Sequence, residues 1–171
     1  NLQGVKLHQL YFGRYLLFFV LGQIQALVVV LGDIYLLHCQ ILDKGLFWLT
    51  ASLTSFVFTL LVYSLTLSFG DIGKAVAVVI MVIQIAGSGG TFPIELLPSV
   101  YRNIYIFFPF PYAINAMRET IGGMYGNMYV KSLLQLMIFA VAALVLGLVI
   151  RKPFIKWNHF VEKRMEDTKM M

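Results

Sequence analysis

An all-α polytopic membrane helix bundle, with four transmembrane helices and an outer re-entrant or interfacial helical hairpin, is the fold this sequence predicts. Three observations lead there. Hydrophobic types make up 60% of the 171 residues and charged types 12%, whereas soluble domains run near ~45–50% apolar and ~25% charged. The apolar residues gather into runs long enough to cross a ~30 Å hydrocarbon core, which takes about 20 helical residues. No segment alternates apolar and polar residues in the manner of a barrel strand. A disordered chain, a disulfide scaffold and an ordinary cytosolic enzyme are thereby excluded. The chain opens Asn1-Leu2-Gln3, without Met and without a signal-peptide pattern, which predicts a C-terminal piece of a longer protein.

The spans fall near residues 15–37, 46–69, 72–90 and 130–150. The third runs apolar through Ala86 and then enters Gly87-Ser88-Gly89-Gly90; the last ends against Arg151-Lys152-Pro153. The links His38 to Gly45 and Gly70 to Lys74 are tight and force antiparallel helix hairpins. With both ends in the cytoplasm, the inner side holds Lys6, Arg14, Lys74 and the six basic residues after Ile150, against Lys44, Arg102, Arg118 and Lys131 outside. Nine against four satisfies the positive-inside rule. The basic cluster directly follows an apolar run, so it reads as a membrane-facing tail rather than a nucleic-acid surface. Cys39 stands alone and can form no internal disulfide.

Between the third and last spans lies the unusual part. It carries Pro93, Pro98, Pro109 and Pro111 among Phe92, Tyr101, Tyr105, Phe107, Phe108, Phe110 and Tyr112. It is too apolar for a solvated loop and too broken by proline for one straight helix. Irregular backbone at membrane depth survives only where protein or a wet cavity satisfies its polar groups. Residues 91–127 are therefore expected to form an outer hairpin. Pro98 and Pro109 bracket one short helix, Asn115 to Ile121 forms another, and Gly122, Gly123 and Gly126 turn into the last span. Residues 151–171 are expected to form a basic amphipathic cytoplasmic tail, with Phe154, Trp157, Phe160, Val161 and Met165 at near-helical spacing. A frayed polar tail is the alternative.

Few residues could carry chemistry. Asp33 is the acid inside an apolar run, and an intramembrane carboxylate suggests proton or substrate coupling. Its place near the outer end of its span favours an interfacial or structural role instead. Gln23, Gln25 and Gln84 read as interhelical hydrogen-bonding groups. In the second span Ser52, Ser55, Thr59 and Thr66 share a face extended by Tyr63, which fits close helix packing better than a polar path. Gly73 with Ala77, and Ala143 with Gly147, have the spacing of small residues at helix contacts. Ala86-Gly87-Ser88-Gly89 resembles the serine motif of rhomboid proteases only superficially. Alanine stands where glycine is needed, and the last span supplies no histidine base. No phosphate-binding loop is present, and His8, His38 and His159 are too scattered for a metal. No catalytic residue, cofactor or metal site is expected.

Gly87-Ser88-Gly89-Gly90-Thr91-Phe92-Pro93-Ile94-Glu95-Leu96-Leu97-Pro98, followed by Pro109-Phe110-Pro111-Tyr112-Ala113-Ile114-Asn115-Ala116-Met117-Arg118-Glu119, resembles the YhgE/Pip family. These are the phage infection proteins of Gram-positive bacteria, with membrane domains similar to type-2 ABC exporter permeases. The resemblance extends over the chain, including Phe69-Gly70-Asp71-Ile72-Gly73-Lys74-Ala75. Family members have six spans and a large extracellular region between the first two. The resemblance therefore implies that residues 1–150 are the last part of such a membrane domain, and that residues 1–14 belong to an inner loop.

The function it implies is a permease-like subunit of an ABC-type exporter in the bacterial cell membrane, working with a separate ATPase as a homo-oligomer, a dimer. The outer-gate candidates are Gly87, Gly89, Gly90, Phe92, Pro93, Glu95, Pro98, Pro109, Tyr112, Arg118 and Glu119, with Asp33 as the intramembrane polar candidate. The alternative is a non-transporting membrane anchor of a phage receptor or of a type VII secretion-related protein. The bilayer is the partner in either case, and nucleic acid in neither.

Overall fold

The computed structural model describes residues 7–88, 90, 94–96 and 98–150, and over these the chain is helical with no strand. The expected amphipathic tail, and Gly89, Phe92 and Pro93, lie outside the described residues. Helix α1 covers Leu7–Leu31 and continues as a π-helical turn, Gly32–Leu36. It begins eight residues before the expected span, because the purely apolar run starts only after Arg14. Arg14 is exposed on α1, and its long stem lets the guanidinium reach out of the apolar layer.

After His38, whose φ is 52°, the chain turns into α2, Lys44–Phe69. Asp43 caps it by accepting the Leu46 N–H at 3.0 Å, which satisfies one of the orphan donors of the first turn. Gly70 alone joins α2 to α3, Asp71–Gly87. Its φ of 61° and ψ of −133° put it in a region closed to side chains, so this one-residue turn requires glycine. The two helices then touch directly: a Cβ on Gly73 would lie 2.1 Å from the Leu65 carbonyl oxygen.

A short 3₁₀ turn, Ile94–Leu96, leads to α4, Ser99–Ile104, and a second 3₁₀ turn, Tyr105–Phe107. Helix α5, Phe110–Gly122, follows, and then α6, Met128–Val145, which ends in a π-helical turn, Leu146–Ile150. Ser68 Oγ donates to the Leu146 carbonyl at 3.1 Å, and a side-chain donor drawing a carbonyl out of the helical ladder is a physical cause for such a turn.

Among the described residues, three stretches are long and apolar enough to cross a membrane: His8–Leu36 with 29 residues, Lys44–Phe69 with 26 and Met128–Val149 with 22. α3 has 17 residues, about 25 Å of rise, and stops at the Gly87-Ser88 break. The third expected crossing is thus shorter as a helix than residues 72–90.

α2 is the central helix, packed by α1, α3, α5 and α6. The larger core cluster joins Tyr11 and Tyr15 of α1, Val57 and Leu60 of α2, Ala113 of α5 and Leu136, Ala140 and Ala143 of α6. A smaller one joins Ala26 and Val30 to Ile41, Phe47 and Ala51, with Met117 of α5 beside it. Lipid offers no hydrophobic gain for helix association, so close fit and interhelical hydrogen bonds hold such a bundle. Both occur here. Gln23 Nε2 donates to the Ser52 carbonyl at 3.1 Å, and Ser52 donates back to Gln23. Tyr15 donates to the Phe56 carbonyl at 3.0 Å and pairs with Thr59. A Cβ on Gly22 would meet Ser55 Oγ at 2.8 Å. Most of the hydroxyl face of α2 therefore serves packing against α1.

Candidate functional site

The segment between α3 and α6 is positioned from both ends. Gly87 is buried beneath Tyr101: a Cβ there would stand 2.7 Å from the Tyr101 ring. The glycine thus lets α4 fold back over the end of α3. Pro98 precedes α4 at φ −52° and ψ 148°, outside the helical region, and its carbonyl accepts the Tyr101 N–H at 3.0 Å. The two 3₁₀ turns and α4 carry the chain down to Phe107, Phe108 and Pro109. These line a cavity of about 150 Å³ together with Leu61, Leu65 and Ala77.

Pro109 is buried and opens α5, with Pro111 in the first turn, where proline's missing N–H costs nothing. The Phe110 N–H is an orphan of that turn. Gln84 Oε1 of α3, on a residue 3% exposed, accepts it at 3.3 Å. Phe110 also meets Phe58 edge to face, with centroids 5.8 Å apart. At the other end of α5 the Thr120 carbonyl accepts the Asp43 N–H at 3.2 Å. Phe58 and Asp43 are separated by about 22 Å of helical rise on α2. α5 therefore runs antiparallel to α2, from the middle of the bundle to the end marked by the α1–α2 link. Tyr112 ties the two arms together: its hydroxyl donates to the Ile106 carbonyl at 2.8 Å, and its ring packs on Phe139.

The remaining candidates lie apart from this contact. Glu95 and Pro98 are exposed, as is Gly90, where a Cβ would meet Ile114 at 2.9 Å. Glu119 accepts the Tyr125 N–H at 2.6 Å, which holds the turn after α5, and Arg118 is exposed beside it. Asp33 sits half-buried in the π-helical turn that ends α1, at the Asp43 end of the bundle. No described lysine or arginine lies within ion-pair distance of it. Asp33 and the Phe107–Pro109 stretch are thus at different levels and form no joint site.

Sequence reasoning took Gln84 as an interhelical bonding residue, and it is one, although its backbone partner 26 positions away could not be named. It missed a second constellation. Tyr11 OH pairs with Ser64 Oγ at 2.6 Å, Tyr63 OH donates to the Tyr11 carbonyl at 3.1 Å, and Tyr129 pairs with Thr50 at 2.9 Å. The available signal was spacing: Tyr11 and Tyr15 lie one turn apart, as do Ser64 and Ser68.

Replacing Gln84 by leucine should leave the Phe110 N–H without its acceptor and cost about 1–2 kcal/mol. Hydrogen–deuterium exchange should show faster exchange at the start of α5 and little change in α2.

The comparisons with known proteins agree with this architecture. A family model described as ABC-2 family transporter protein matches residues 1–149. A curated relative, "Uncharacterized protein YhgE" of Bacillus subtilis (strain 168), is 32% identical over 120 residues. That alignment covers 70% of this chain and 16% of the relative, so the chain spans a small part of the relative's length. No solved structure matches the chain. A multi-pass helical bundle with a family match over nearly its whole length leads to one conclusion: the chain belongs to the ABC-2 family of transporter membrane proteins, as a YhgE/Pip-like permease-type domain.

Proposed function

We propose that the chain forms the last four crossings of a permease-like subunit that works as a dimer with a separate ATPase. In this reading both ends face the cytoplasm, α3 with the residues up to 90 completes the third crossing, and α4 with α5 is a re-entrant hairpin on the outer face. One observation carries it. The tip at Phe107 to Pro109 lines one cavity with Leu61 and Leu65 of α2, and the neighbouring Phe110 meets Phe58, within the bundle rather than at its end, while the far end of α5 bonds to Asp43.

A half-crossing of this kind is a natural outer gate. The Gln84 bond links its inner end to α3, so a tilt of α3 moves the hairpin. Gly87 and Gly90 belong to the upper hinge, and Glu95 and Pro98 to the upper rim. Pro109 and Tyr112 hold the tip, and Arg118 and Glu119 the outer edge. A partner shifts such an element only by binding its two packings unequally. Asp33 is assigned an interfacial role at the outer end of α1.

Residues for ATPase contact must be exposed at the Gly70 end. Tyr11 is 1% exposed and does not qualify, whereas His8 and Ile72 are exposed. Photo-crosslinking from these two positions in the full-length protein, in cells, is the test. A nucleotide-binding subunit captured at both supports the exporter. Capture of secretion or envelope proteins alone favours the anchor.

A further inference from the structure

A groove of about 450 Å³ runs along the bundle between α1, α2 and α3. Its walls are Phe18 and Leu21 of α1, Phe58 and Val62 of α2 and Met81 of α3, with Thr66 and Lys74 at the end beside Gly70. On α2 the lining extends from Phe58 to Thr66, about 12 Å of rise. An extended hydrocarbon chain fits along this groove, whose length is close to one leaflet's share of a ~30 Å core.

The charge lies where a headgroup would. Lys74 is in the first turn of α3, at the interface end of the groove, with its ammonium 2.8 Å from Asp71 Oδ1. This is an exposed pair within one helix turn, with side chains 62% and 72% exposed, so it holds the lysine weakly. An ammonium has three donors, and a phosphate oxygen can take one of them while Asp71 keeps another. The Thr66 side chain flanks the same mouth from α2.

We propose that this groove binds one phospholipid of the leaflet on the Gly70 side, its acyl chain against Phe58, Val62 and Met81 and its phosphate on the Lys74 ammonium. The assignment is independent of the transport reading, since an anchor would carry the same groove.

The test is native mass spectrometry of the full-length protein in micelles supplemented with phosphatidylglycerol. The wild type should take one saturable adduct. Val62→Trp and Met81→Trp, at positions 40% and 39% exposed, should fill the groove and lower apparent affinity about tenfold or more. Lys74→Gln should lower it about tenfold through the lost charged hydrogen bond. This substitution is on the surface and is read even if both tryptophans disturb packing. Leu16→Trp should leave binding unchanged, because it fills a different crevice, lined by Phe12, Phe56 and Leu144. A wild type without a saturable adduct overturns the proposal, as does equal loss in Leu16→Trp. Full binding in Lys74→Gln overturns the phosphate assignment.

Discussion

Gly73→Ala should destabilise the folded protein by about 3 kcal/mol, with a lower melting temperature in detergent and early proteolysis between α2 and α3. The added Cβ would lie 2.1 Å from the Leu65 carbonyl oxygen and 2.7 Å from its carbon. Backbone atoms of a helix cannot swing aside as a long side chain can, so α3 must lift off α2. The turn gives no slack, because Gly70 is the single residue between the helices and already uses a conformation open only to glycine. Gly13→Ala is the internal control. Nothing lies within 4 Å of a Cβ there, and removing a glycine from a helix interior should be neutral or stabilise by about 0.5–1 kcal/mol. Equal effects at Gly13 and Gly73 would show that helix propensity, rather than the α2–α3 contact, governs both.

Elements whose signals are local were legible in the sequence. The turn at Gly70 and the α4 region between Pro98 and Pro109 follow from residue chemistry within a few positions, whereas α2 starts at Lys44, two residues before the expected span. The limits of α1 were less so. A charge count stops a span at Arg14, but a long exposed side chain permits helix well beyond the purely apolar run. α5 was expected from Asn115 to Ile121 and starts five residues earlier. Its first turn is completed by Gln84 from another helix, and no local pattern announces a cap supplied from 26 residues away. The π-helical turn at Leu146 has the same character, since its partner Ser68 lies 78 residues back. Hydropathy sees the lipid-facing side of a helix well. It is blind to hydroxyls and glycines that pair across the bundle, because these look unremarkable one at a time.

Within the segment between α3 and α6, residue type pointed to the region and the geometry separated its parts. Gly87, Pro109 and Tyr112 make the contacts that fold the segment back. Glu95 and Arg118 are exposed on it, and Glu119 closes the turn after α5. A family motif mixes such roles, because a shared fold retains packing residues as readily as functional ones.

The largest loss should come from Tyr11→Ala, at about 3–5 kcal/mol, and its coupling to Gly147 is the sharper measurement. Tyr11 fills the Gly70 end of the bundle at 1% exposure. Its hydroxyl pairs with Ser64, its ring meets Tyr63 with centroids 5.1 Å apart, and a Cβ on Gly147 would stand 2.5 Å from its Cε2. Tyr11→Phe keeps the ring but leaves Ser64, 0% exposed, without that partner, at about 1–2 kcal/mol. Gly147→Ala alone should also destabilise, since neither the ring nor the α6 backbone has room to move. In the Tyr11→Ala background the same alanine meets empty space, so the double variant should melt no lower than Tyr11→Ala itself. Contacting residues in one packed site are expected to depart from additivity by about 0.5–3 kcal/mol. Strict additivity in melting experiments would mean that Tyr11 and Gly147 do not touch, and that α1 is held to α6 by other contacts.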